Sequence, residues 1–142
     1  MAAAFGVAAL AALSIAYPVV ATVQTTNSLL ERVESREIAR VWIEENVPEG
    51  STIAIEPYVP YVDPKRYHVQ EYVMTAHTPE WYATNGVDYL VFSEGTYGRF
   101  YAEPERYAGV IAQYSSLFNA FESVKTVSVG GYDVRIYRVS RR

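Results

Sequence analysis

The sequence predicts an α/β fold: an N-terminal transmembrane helix, then a small mixed sheet with a parallel pair, a C-terminal antiparallel hairpin, and helices packed on the sheet faces. Three observations predict it. Ala2 to Val23 carry no charged side chain, a length that matches the roughly 30 Å apolar layer of a bilayer when wound as a helix. Ser35 to Glu56 reads as a helix, a Pro-Gly stop and a short apolar strand. A second helix start, Thr78-Pro79-Glu80, lies between the apolar runs Thr52–Glu56 and Val87–Phe92, the arrangement of a crossover joining two buried parallel strands. The expected organisation is a span over residues 1–24, a polar connector over 25–34 and a soluble α/β domain over 35–142.

The span competes with a secretory signal peptide, but Met1-Ala2-Ala3 supplies no basic n-region. Pro18 beside Tyr17 fits an exit at the interface. In the next helix Ser35 is the expected N-cap, Ile38, Val41 and Trp42 the expected core stripe, and Arg40, Glu44 and Glu45 the outward face. Pro48 and Gly50 end it. Prolines 57, 60 and 64 impose an extended loop whose apolar residues can lie on the core. Tyr67–Val73 is a short strand. Thr78, Pro79 and Glu80 cap a short helix that Asn85-Gly86 terminates. Ser93–Ala102 is read as a loop leaving the second parallel strand. Apolar residues from Tyr107 to Phe121 recur at helical spacing, giving a helix from about Pro104. Gly130-Gly131 is the expected two-residue turn between strands Ser123–Val129 and Tyr132–Ser140.

The 142 residues hold no cysteine, which excludes disulfides and thiolate-ligated metals. A net charge of −4 without long basic runs argues against nucleic acid as a partner. Thirteen tyrosines suit half-buried and interfacial positions. His68 and His77 lack metal-ligand spacing, and no phosphate loop or nucleophile elbow is present. No catalytic residue, metal or cofactor is assigned. Ligands of parallel α/β sheets sit beyond the carboxyl ends of the strands. That rule selects Glu56, Tyr58 and Tyr61 after the first strand and Glu94, Thr96, Tyr97 and Arg99 after the second as candidate ligand-binding residues, forming an aromatic-lined groove for a sugar or lipid headgroup. The plainer account is that glycines shape a turn while Tyr97, Phe100 and Tyr101 cover the core.

The segments AYPVVATV, SREIARVWIEENVPEGSTIAIEPY, GVDYLVFSEGTYGRFYAEPERY and GGYDVRIYRV, taken together, resemble the C-terminal end of bacterial polytopic glycosyltransferases of the dolichyl-phosphate-mannose mannosyltransferase type. In that family the last transmembrane helix precedes an extracytoplasmic domain. The resemblance implies a non-catalytic extracytoplasmic unit at the cell membrane, assisting an enzyme that uses a polyprenyl-phosphate sugar. Its partners would be membrane lipid, the donor or an acceptor glycan, and the remaining transmembrane helices. The family's catalytic acid lies in an early extracytoplasmic loop, so no position here inherits that role. Arg32, Arg36 and Arg40 by themselves would place the domain in the cytoplasm, against the family's topology. The alternative is a single-span anchored interaction module without enzymatic activity.

Overall fold

The computed structural model describes residues 35–129 and 131–140. The expected span and connector, residues 1–34, lie outside the described residues, as do Gly130, Arg141 and Arg142. No helix among the described residues is long and apolar enough to cross a membrane.

A five-stranded mixed sheet forms the centre. Its strands are β1 (Thr52–Ile55), β2 (His68–Glu71), β3 (Tyr89–Ser93), β4 (Glu122–Val127) and β5 (Val134–Arg138), in the order β2-β1-β3-β5-β4. The expected parallel pair is present: β1 pairs with β3, Ala54 opposite Leu90, and on its other side with β2, Ala54 opposite Gln70. The hairpin strands β4 and β5 are antiparallel, and β5 also pairs with β3.

Alternation along the strands divides the core in two. Ala54, Leu90, Phe92 and Tyr137 face one side, where they meet Tyr82 of α2 (Pro79–Thr84), Tyr97 of α3 (Glu94–Tyr101), and Tyr114 and Leu117 of α4 (Ala108–Ala120). Ile53, Val91, Val134 and Ile136 face the other, covered by Ala39 and Ile43 of α1 (residues 35–46) and by Val62 and Tyr67 of the β1–β2 connection. The proline-rich segment therefore lies on the core, as its composition leads one to expect. It does so as an extended strap crossing the face that carries α1. At the start of the sheet the Asp88 carboxylate accepts from the Thr52 amide at 2.9 Å, and Thr52 returns its carbonyl to the Asp88 amide. This exchange fixes the register of β1 against the approach to β3.

Several local expectations are corrected. The buried stripe of α1 is Ser35, Ala39, Ile43 and then Val47, while Ile38 and Val41 are exposed. The strap and Ile53 meet the helix on that side, so the position of the strap, invisible in the helix's own periodicity, sets which face is covered. Ser35 already lies within the helix, and its hydroxyl donates to the Tyr132 carbonyl. Ser93–Ala102 is mostly helix: the Ser93 hydroxyl caps α3 by accepting from the Gly95 amide. Glycines 95 and 98 disguise it, because glycine lowers helix propensity. The final long helix starts at Ala108, after turns that occupy the Pro104 region. The hairpin strands stop at Val127 and resume at Val134, a longer connection than a two-residue turn. The Thr78 cap holds, accepting from the Trp81 amide at 3.3 Å. His77 stacks on Trp81 with ring centroids 3.7 Å apart, which accounts for it as part of an aromatic cluster.

Candidate functional site

The connections after β1 and β3 leave on opposite faces. After β1 the strap turns to the α1 side, where Val59 and Val62 pack, and after β3 the chain turns directly into α3 on the other side. Adjacent parallel strands whose connections diverge open a crevice beyond their carboxyl ends. Glu56 lies at its base, 2 % exposed, and follows β1 directly. Its Oε1 accepts from the Ser93 amide at 2.8 Å and its Oε2 from the Tyr114 hydroxyl at 3.0 Å. Burial pushes this carboxyl up to about 7, opposed by the two hydrogen bonds and by the Arg99 guanidinium. Tyr82 and Tyr114 face the same interior and have phenols pushed above their ordinary value, chiefly by burial.

Tyr58 and Gly95 bring the two rims together. A β-carbon on Gly95 would lie 3.2 Å from Tyr58 Cβ and 3.0 Å from a ring carbon of Tyr132. Tyr58 itself holds φ at 65°, a left-handed conformation costly for a tyrosine, and its ring is exposed. On one side of Tyr58 an apolar groove of about 590 Å³ runs along Pro57, Val59, Pro60, Tyr61 and Val69. On the other, a polar groove of about 480 Å³ is lined by Glu94, Gly95, Gly98, Arg99, Gly131 and Tyr132.

In the polar groove Glu94 is fixed by the hairpin: its amide donates to the Asp133 carbonyl at 2.8 Å, and its Oε2 accepts from the Asp133 amide at 3.1 Å. A β-carbon on Gly98 would meet Glu94 Cγ at 2.9 Å, so the absence of a side chain there leaves room for this reach. Arg99 is exposed, lies 4.8 Å from the Phe100 ring centroid and makes no ion pair among the described residues. No protein-family model, curated protein or solved structure matches this chain. The reading of the site therefore rests on its own geometry.

Of the seven residues selected from sequence, Tyr58, Tyr61, Glu94 and Arg99 stand at the grooves. Glu56 lies buried beneath them. Thr96 donates to the Pro57 carbonyl, tying α3 to the strap. Tyr97 sits 4 % exposed in the core, with its hydroxyl unpartnered among the described residues and Arg135 over its ring at 5.3 Å. That placement follows the plainer account of this residue. Tyr132 was missed. It is 47 % exposed and belongs to the hairpin connection, distant in sequence from both strand ends; only the pairing of β5 with β3 brings it there. No group of three or more His, Asp or Glu able to hold a metal ion occurs among the described residues.

Proposed function

We propose that this chain is the non-catalytic, membrane-anchored C-terminal part of a glycosyltransferase that uses a polyprenyl-phosphate sugar, and that the crevice binds a saccharide of the acceptor or donor. The family resemblance supplies the enzymatic context and the extracytoplasmic placement. The observation that carries the binding role is the composition of the polar groove. Glu94 and Arg99 offer one acceptor and one donor group of opposite charge, which together favour a neutral ligand whose hydroxyls both donate and accept. The half-exposed Tyr132 ring offers a flat apolar surface beside a glycine floor, matching the C–H face of a sugar ring.

The test is glycosyl transfer in membranes, comparing this chain alone with a form extended upstream through any preceding hydrophobic segments. The expected result is activity in the extended form only, with Tyr132→Ala or Arg99→Ala raising the acceptor or donor KM about tenfold, roughly 1.4 kcal/mol of lost binding. Unaltered transfer in both variants overturns the binding role, and absence of transfer from the extended form overturns the enzymatic context. One observation favours the anchored interaction module instead. Ile38, Val41 and Trp42 line an open groove of about 290 Å³ on α1 with Lys125 at its edge, an apolar surface of the kind partners cover.

A further inference from the structure

Helix α1 enters the domain at the crevice. The Ser35 hydroxyl donates to the Tyr132 carbonyl at 3.2 Å, and Tyr132 in turn borders Gly95 and Tyr58. From that point α1 runs roughly 17 Å, at 1.5 Å per residue, to the opposite end of the sheet. There Gly50 donates to the Arg66 carbonyl, and Asp88, Glu49 and Arg138 gather around the strand starts. Whatever precedes Ser35 therefore reaches the domain from the crevice end. The expected connector 25–34 separates Ser35 from the apolar stretch by roughly 16 Å if helical and at most about 36 Å if extended.

Exposed apolar surface follows the same axis. The large apolar residues exposed among the described residues include Tyr58 at 61 %, Tyr61 at 69 %, Val73 at 74 %, Val129 at 42 % and Tyr132 at 47 %. Four of these lie just beyond a strand end on the crevice side, Tyr58 after β1, Val73 after β2, Val129 after β4 and Tyr132 before β5, and Tyr61, farther along the strap, lines the same groove as Tyr58 and Glu56. Ile38 and Val41 lie along α1, and Tyr101 closes α3. The opposite end carries the ion pairs of Arg66 with Glu49 and Arg138 with Glu122 and none of these five exposed apolar residues, while the crevice end adds to them the pair of Arg135 with Asp133. Tyrosines are at home where a membrane's headgroups meet its acyl chains, since the ring partitions inward while the hydroxyl stays hydrated.

We infer that the domain docks its crevice end on the surface of the bilayer that anchors it, with Tyr58, Tyr61 and Tyr132 seated among the headgroups and both grooves opening toward the lipid. The inference rests on the membrane-anchored reading of residues 1–24. Its occupant is a phospholipid surface, and its consequence is that any crevice ligand is taken from the plane of the membrane.

The chain lacks cysteine, so Tyr61→Cys and Glu49→Cys variants of the full chain, reconstituted in phosphatidylcholine–phosphatidylglycerol vesicles, can each carry a single nitroxide. Collision with oxygen dissolved in lipid should broaden the label at 61 several-fold more than that at 49, and a water-soluble nickel chelate should do the reverse. Tyr58→Ser/Tyr132→Ser, exposed changes that spare the core, should shift the 61 label toward water. Equal water exposure of both labels on chains that resist carbonate extraction overturns the docking while leaving the anchor intact. Release of the chain by carbonate overturns the anchored reading itself, and the docking with it.

Discussion

Glu56 is the residue whose ionisation the fold opposes. Its folded value near 7 lies above the ordinary 4.5, because burial outweighs the hydrogen bonds from Ser93 and Tyr114. The unfolded chain therefore releases this proton at lower pH than the native one does. The stabilising contribution is complete below about pH 4.5, declines as pH rises and is lost above about pH 7, a span of about 3 kcal/mol. Glu56→Gln keeps an acceptor for the Ser93 amide and removes the charge. Urea unfolding of the full chain in detergent should show the variant matching the parent at pH 5 and exceeding it by about 2–3 kcal/mol at pH 8; parallel pH profiles would contradict the assignment. Tyr114→Phe deletes a bond that favours the carboxylate, so the Glu56 midpoint, followed by carbon NMR of its carboxyl, should move upward. Tyr82 shows what sequence pattern misses at this scale. It is fully buried and donates to the Met74 carbonyl at 3.0 Å, and Tyr82→Phe should cost about 1–2 kcal/mol by leaving that carbonyl unpaired. Nothing in the local sequence separates it from the exposed Tyr58 and Tyr61; burial is decided by elements distant in the chain.

At the scale of elements, strong terminal chemistry was legible and weak helices were not. Thr78-Pro79-Glu80 announces α2, and the apolar repeat from Tyr107 announces α4, because capping groups and long periodicity act locally. Helix α3 stayed hidden because two glycines in eight residues mimic a loop. Its stability comes from outside: the Ser93 cap, the Thr96 bond to the strap and the reciprocal pairing of Glu94 with Asp133. This gives Gly98→Ala an expected balance. Alanine gains about 1 kcal/mol of helix propensity, while its β-carbon displaces Glu94 from the Asp133 amide at a similar cost. The unfolding midpoint should stay nearly unchanged while saccharide binding in the polar groove falls. Gly50→Ala behaves differently. At φ 80° nothing crowds a β-carbon, so the loss, about 1–2 kcal/mol, is purely conformational.

For the whole molecule, alternation and the crossover rule made the parallel pair and the hairpin legible, whereas the layer covering the second face was not. Prolines 57, 60 and 64 announce the extended connection between β1 and β2, but not that it crosses the face carrying α1, and this crossing shifts the buried face of α1. The crevice residues near the two strand ends could be listed from topology alone, but Tyr132 required knowing that β5 lies between β3 and β4. That placement has a consequence for how the protein is made. The last strand in the described chain is an interior one, supplying Val134, Ile136 and Tyr137 to both faces of the core. A ribosome delivers residues from the N-terminus, so Leu90, Val91 and Phe92 wait with one edge unpaired until the hairpin arrives. Folding of the domain thus waits for β5 to emerge, and a nascent domain stalled before Val134 would present a hydrophobic strand edge to whichever chaperone meets it first.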